Sequence, residues 1–222
     1  MIAAVLFDFD GVLTKDKTGS VSTIRSLSLQ TGLREEALWD AFAPFNEELL
    51  YGHTTHAAVW PAICDRLGHQ MDLSLLVEAF DSTPICHEML SYAELLKPRY
   101  GTAMITDNKA DRMDRLRTRY ALDSIFQPIL VSAELGSGKQ QPWIFQRTLD
   151  LLATAPEQCV FIDNSQHNLV VPASLGINTV YFNESADTAE SLAEVLRTRY
   201  GVVASQVTPN NSSKPMPLRG TA

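Results

Sequence analysis

Asp8 and Asp10 stand two residues apart, directly behind the apolar run from Ile2 to Phe7. Side chains at i and i+2 of an extended segment project to the same side. Two carboxylates therefore leave the end of one strand together, and Gly11 lets the chain turn away behind them. Carboxylates this close repel unless a cation or a shared proton lies between them. A hard divalent cation with oxygen ligands answers that need, with magnesium the natural candidate.

Two further segments have the same construction, an apolar stretch ending in small polar groups, and a third carries a lysine. In Met104-Ile105-Thr106-Asp107-Asn108 the Thr106 hydroxyl, and the backbone N–H groups of Asp107 and Asn108, are placed to hold a phosphate oxygen. A helix starting near Lys109 adds the positive end of its dipole. Lys139 lies between the glycine-flanked turn Gly136-Ser137-Gly138 and a new helix, where its ammonium can reach back to an anion. Val160-Phe161-Ile162-Asp163-Asn164-Ser165 again ends in an acid and an amide, with Asn168 four residues beyond Asn164. Converging on one cleft, these groups suit the movement of a phosphoryl group, which needs positioning and charge neutralisation above all.

A parallel sheet is the scaffold that brings such strand ends together. Continuous apolar runs mark strands buried on both faces. Beyond residues 2–7 they occur at residues 102–106, 128–131, 159–162 and 179–182, with helical stretches at 111–119, 143–152 and 166–175. This alternation predicts a doubly wound α/β fold. Residues 15–82 break it. No strand is legible there, and 34–42, 54–67 and 73–80 read as helices, with Pro61 expected to kink or end the second. Thr83-Pro84 suits the start of the next helix, a hydroxyl cap followed by proline. The predicted organisation is an α/β core of residues 1–14 and 83–204, a small α-helical cap of residues 15–82, and a disordered Pro/Asn/Ser-rich tail from 205 to 222. Trp39, Trp60 and Trp143 sit at helical positions and read as packing. The five histidines show no metal-binding spacing, and His53 and His56 read as ordinary cap residues.

With 18 basic against 26 acidic residues the net charge is −8, which argues against nucleic acid or an anionic membrane as partner. No apolar run approaches the ~20 residues of a membrane span, and the first residues do not read as a signal peptide. Cys64, Cys86 and Cys159 are odd in number and far apart, which favours neither a disulfide framework nor a zinc site. These features point to a cytoplasmic protein. The strand-end groups above point to a small phosphate ester as its partner, and a monomer or homodimer is expected without the sequence deciding between them.

The strings DFDGVLT, MITDN, GKQQPWIF around Lys139, and FIDNSQHNLVVPASLGINTV resemble the four ordered motifs of the haloacid dehalogenase superfamily, over about residues 1–200. The helical insertion, with LLYGHTTHAAVW, is similar to the small cap of the branch that holds phosphoglycolate phosphatases, β-phosphoglucomutase and the phosphatase domain of epoxide hydrolase. The resemblance implies that Asp8 is a nucleophile forming an aspartyl-phosphate. It implies that Asp10 protonates the leaving oxygen and then activates water. Thr106, Asp107, Asn108 and Lys139 would hold the phosphoryl oxygens. Magnesium would rest on the Asp8 carboxylate, the Asp10 backbone carbonyl and the fourth motif. The second aspartate, Asp10, argues for phosphate esters over haloacids. One position departs from the pattern: Asn164 stands where the metal-binding aspartate of the fourth motif normally falls, beside a retained Asp163. Neighbours at a strand end face different sides, which favours Asn164 as the direct ligand with Asp163 acting through water. The resemblance thus implies a magnesium-dependent phosphatase. The alternatives are a sugar-phosphate mutase of the same fold and a degenerate member that binds its ligand without turnover.

Overall fold

The apolar run at the start of the chain forms the central strand β1 (Ala4–Phe7), every residue of it buried. A computed structural model describes residues 1–205. β1 is flanked by β2 (Gly101–Thr106) on one side and β4 (Cys159–Asp163) on the other, with β3 (Ile129–Val131) and β5 (Asn178–Tyr181) at the edges. All pairs are parallel, in the order β3-β2-β1-β4-β5. Phe7 pairs with Met104 on one side and Ile162 on the other. The chain therefore leaves β1 and β4 at the same level, Asp8 next to Asp163. The connections run in opposite directions from β1, so a crevice opens at the carboxyl ends of β1 and β4, where sheets of this kind bind ligands.

Alternate β1 side chains feed two apolar layers, as the two-residue period of a strand requires. Val5 and Phe7 pack with Met89, Met113 and Leu196 on one face, and Ala4 and Leu6 with Ile144, Phe145 and Phe161 on the other. A third apolar cluster, built on Leu27, Leu38, Trp60, Ile63 and Phe80, belongs to the helices between β1 and β2. These are α1 (Gly19–Thr31), α2 (Glu35–Phe42), α3 (Asn46–Leu50), α4 (His56–Leu67) and α5 (Ser74–Asp81). The remaining helices are α6 (His87–Leu96), α7 (Ala110–Tyr120), α8 (Ser132–Leu135), α9 (Pro142–Leu152), α10 (Val170–Ser174) and α11 (Ala189–Tyr200).

Several local expectations are corrected. α4 passes unbroken through Pro61. Its first turn is capped by Thr55, which accepts from Ala58 N at 3.2 Å, and Trp60, Ile63 and Cys64 on either side of the proline are buried. Apolar packing outweighs the one backbone bond that proline forgoes. Thr83-Pro84 does not open a helix. The segment is extended, forming an antiparallel bridge between Ile85 and Thr14, with Lys15 N donating to Pro84 O (2.8 Å) and Cys86 N to Leu13 O (2.9 Å). α6 starts only at His87. The helix read at 166–175 is a 3-10 turn (Gln166–Leu169) followed by α10, the break falling just before Pro172. Trp60 packs as expected, whereas Trp39 and Trp143 are exposed. The expected tail lies outside the described residues except for Ser205, whose N–H donates to Leu95 O at 2.9 Å. Among the described residues no helix is long and apolar enough to cross a membrane.

Candidate active site

Asp8, Asp10, Thr106, Asp107, Asn108, Lys139, Asn164 and Asn168 all line one cavity of about 680 Å³ between the strand ends and the helices α1–α4. Asp163 does not line it. That carboxylate is wholly buried and meets the site through Lys139.

Asp8 follows β1 directly. Its N–H donates to Ile162 O, tying it to β4. Its Oδ1 accepts from Phe9 N at 2.6 Å and from the Lys139 ammonium. Lys139 Nζ also donates to Asp163 Oδ2 at 2.8 Å. One buried ammonium thus serves two buried carboxylates. Burial, and next the Asp163 charge, push the Asp8 carboxyl well above its ordinary value, and Lys139 offsets only part of this. Burial opposes the charge on Lys139, yet Asp8, Asp163 and Asp107 hold its amine above the ordinary lysine range. The surplus of negative charge is what a cation or an electrophilic phosphoryl group would relieve.

The loop that carries Lys139 is held by Asp107, whose Oδ1 accepts from Lys139 N at 2.9 Å. A Cβ on Gly138 would fall 3.0 Å from the same oxygen. The Asp107 side chain is thus occupied with the loop, leaving its backbone N–H as the group suited to a phosphate. Asn108 also faces inward: its Nδ2 donates to Asp10 Oδ2 at 2.8 Å and to Thr106 Oγ1 at 3.3 Å. Asp163 completes its shell with Ser165 N at 2.7 Å and Asn168 Nδ2 at 3.1 Å. Asn164 lies over Gly11 so closely that a Cβ there would fall 2.0 Å from its Nδ2, and Gly11 takes a φ of +81°. Asn164 Nδ2 donates to Lys17 O at 3.3 Å, which leaves its Oδ1 as the atom available to a cation.

Three residues of the cavity wall escape a reading of the sequence. Arg112, on the first turn of α7, is buried and grips Asp10 with both terminal nitrogens, Nη1 to Oδ2 at 2.8 Å and Nη2 to Oδ1 at 2.9 Å. No helix-face spacing marks it, since Asn108 lies two residues before α7 and outside the helix. His56, at the start of α4, sends Nδ1 to Asp111 at 2.8 Å, joining the helical insertion to α7. Lys109 is a cavity-lining lysine whose amine burial, and next the Arg112 charge, pull down to about 8.

The family model for haloacid dehalogenase-like hydrolases matches residues 2–176, and the chain belongs to that family. It is 25% identical over 218 residues to bifunctional epoxide hydrolase 2 of Rattus norvegicus, an alignment that covers 87% of this chain and 39% of that protein. The chain thus spans about two fifths of that relative's length. It is 24% identical over 195 residues to glyceraldehyde 3-phosphate phosphatase of Pyrococcus furiosus, covering 82% of this chain and 80% of that one. Among solved structures, a HAD family enzyme of Bacteroides thetaiotaomicron in complex with magnesium and inorganic phosphate superposes with a TM-score of 0.69 at 22% identity, over 86% of this chain and 98% of that one. The shared fold is that of HAD enzymes, a parallel five-strand sheet flanked by helices.

Proposed function

We propose that this hydrolase is a magnesium-dependent phosphatase acting on a small phosphate ester through an aspartyl-phosphate on Asp8. The observation that carries the reading is the buried Asp8 carboxylate at the switch point of the sheet, with Asp163 beside it, one Lys139 ammonium between them and Asp10 two residues on. The Pyrococcus furiosus phosphatase and the magnesium and phosphate complex of the Bacteroides thetaiotaomicron enzyme support the same class of substrate.

In this reading the end of β2 and the turn before α7 present the Thr106 hydroxyl and the Asp107 N–H to the phosphoryl oxygens, with Lys139 neutralising charge. The Asn108 N–H is already given to Ser132 Oγ at 2.9 Å. An Asp8 oxygen attacks phosphorus, and the ester oxygen leaves with the proton that Asp10 gives it. Asp10 handles the proton of the water that then releases phosphate. Among the described residues no three His, Cys, Asp or Glu side chains gather as a metal site. The donor set is instead the Asp8 carboxylate, the Asp10 backbone carbonyl and the Asn164 amide oxygen. These are hard oxygens, and the surplus negative charge around Asp8 suits a magnesium ion that keeps several of its waters. When bound, the metal supplies charge neutralisation between Asp8 and the phosphoryl group.

The test is a panel of phosphate esters assayed for phosphate release with and without magnesium, alongside a 2-haloacid assayed for halide. Magnesium-dependent phosphate release supports the reading. Halide release without phosphate release overturns it.

A further inference from the structure

Asp10 is held more firmly than a residue that only shuttles protons requires. Besides the Arg112 fork, its Oδ2 accepts from Asn108 Nδ2 at 2.8 Å, and its Oδ1 has a long contact from Thr14 Oγ1 at 3.5 Å. Arg112 in turn is held at both terminal nitrogens, while its buried Nε meets no hydrogen-bond partner among the described residues. Nη1 donates to Asn108 Oδ1 at 3.0 Å, Nη2 donates to Thr83 Oγ1 at 3.2 Å, and the guanidinium lies 5.7 Å from the centre of the Phe9 ring. Its side chain is 2% exposed. α1 closes over it at Gly19, where a Cβ would fall 2.2 Å from Cζ. A guanidinium only donates, and a two-pronged grip fixes the rotation of a carboxylate as well as its place. The arrangement is that of an oriented anion. Oδ1 is the oxygen with room for a proton, since its second contact is the long one.

We propose that Arg112 is a positioning residue whose buried two-pronged grip keeps Asp10 as an oriented carboxylate, set to take a proton from water in the second half of the reaction. This rests on the reading of Asp8 as nucleophile. In that half, the water oxygen bonds to phosphorus of the Asp8 acyl phosphate and the water proton passes to Asp10 Oδ1. The phosphorus–oxygen bond to Asp8 breaks, and its electron pair returns to the Asp8 carboxylate. Phosphate leaves, and the proton on Asp10 is the one that goes to the leaving oxygen of the next ester. Of the reacting groups Arg112 grips Asp10 alone, and it acts through that carboxylate.

The experiment uses the full chain with magnesium and p-nitrophenyl phosphate, whose leaving group departs without a proton. Arg112→Met should lower kcat by about 10–100-fold, below the full effect of removing a general base, with KM little changed. It should also show a rapid burst of about one nitrophenolate per protein before the slow steady rate, because phosphorylated Asp8 accumulates. Arg112→Lys should restore part of the rate. In an Asp10→Asn background, Arg112→Met should add less than about a twofold loss, the non-additivity of two residues acting through one path. Full multiplication of the two losses, or loss of rate with no burst, overturns the proposal. Should Arg112→Met fail to fold, Arg112→Lys with and without Asp10→Asn carries the same cycle. Asp8→Asn separates the two readings: if it still turns over, the nucleophile assignment has failed, whatever Arg112 does.

Discussion

Lys139 donates to Asp163 at 2.8 Å while the same ammonium meets Asp8, and all three side chains are buried. The lysine sits between two acids from neighbouring strand ends, so their separation and its own position are set together. Its removal leaves two buried carboxylates facing each other. Breaking a buried pair of this kind costs roughly 3–5 kcal/mol. Lys139→Met should therefore unfold at markedly lower denaturant and release no phosphate. A variant as stable as the parent would show that the two acids do not depend on it.

Asp8→Asn should abolish phosphate release and at the same time stabilise the fold. The folded state raises the Asp8 carboxyl above its ordinary value near 3.8, through burial first and Asp163 second. Above that value the unfolded chain sheds the proton more readily, so ionisation of Asp8 lowers stability as pH rises. The amide escapes this cost. Asp8→Asn should gain about 0.5–2 kcal/mol at pH 7, a gain that shrinks as pH falls toward 3.8. Thermal melts of both forms across this range check the sign.

Asn164→Asp should tighten magnesium binding. The amide offers an oxygen without charge, and the carboxylate would restore the charge that magnesium prefers. Asp163, occupied with Lys139, Ser165 and Asn168, is less free to serve. The measurement is the magnesium-dependent rise in melting temperature, with the magnesium requirement for phosphate release as a second readout. An unchanged requirement in Asn164→Asp, with its loss in Asp163→Asn, would make Asp163 the direct ligand.

Lys109 gives the cavity a charge that titrates within reach. Its amine is drawn down to about 8, so the positive charge fades as pH rises past that value. KM for a phosphate ester should climb from pH 7 to pH 9.5 and flatten in Lys109→Met. Because the charged form carries the cost of burial, Lys109→Met should also be more stable than the parent below pH 8. Parallel KM curves for the two forms would remove Lys109 from substrate binding.

Gly19→Ala tests the close approach of α1 to Arg112. The end of an arginine side chain normally yields to an added methyl, but this one is pinned to Asp10 by two hydrogen bonds. The substitution should cost about 1–3 kcal/mol through overpacking and lower turnover along with it. Unaltered melting temperature and rate would mean that the contact is slack.

The chemistry at the strand ends was legible because it is written locally. Residues 2–7 and 159–162 are apolar enough to be strands covered on both faces, and the polar residues that follow them have only the crevice to enter. Thr83-Pro84 misled because a hydroxyl followed by proline suits a helix cap and an extended linker equally, and the pairing with Thr14, some seventy residues away, decides between them. Arg112 was hidden by its neighbours. α7 also carries Arg115, Arg117 and Arg119, none of them buried, so one arginine of the set looks like any other surface charge. Its nearness to Asn108 gains meaning only once Asn108 is known to face Asp10 and to bond Arg112. α1, with its many serines and threonines, carried too little apolar periodicity to be drawn as an element.

The bridge between Thr14 and Ile85 has a consequence for how the family's architecture can vary. The two crossings into and out of the helical insertion lie side by side, joined by the hydrogen bonds of Lys15 to Pro84 and Cys86 to Leu13. The sheet therefore sees the whole excursion as a single closed loop with a fixed mouth. Doubling such a loop costs only about 0.6 kcal/mol in closure entropy. The insertion is also tied to the core by His56 on Asp111, Asp81 on Arg115 and α1 over Arg112, so an exchange at this mouth must keep those contacts to leave Asp8 and Asp10 undisturbed. Transplanting residues 15–84 between relatives at this mouth is the natural cut for a chimera, and one in which substrate choice and chemistry would be inherited from different parents.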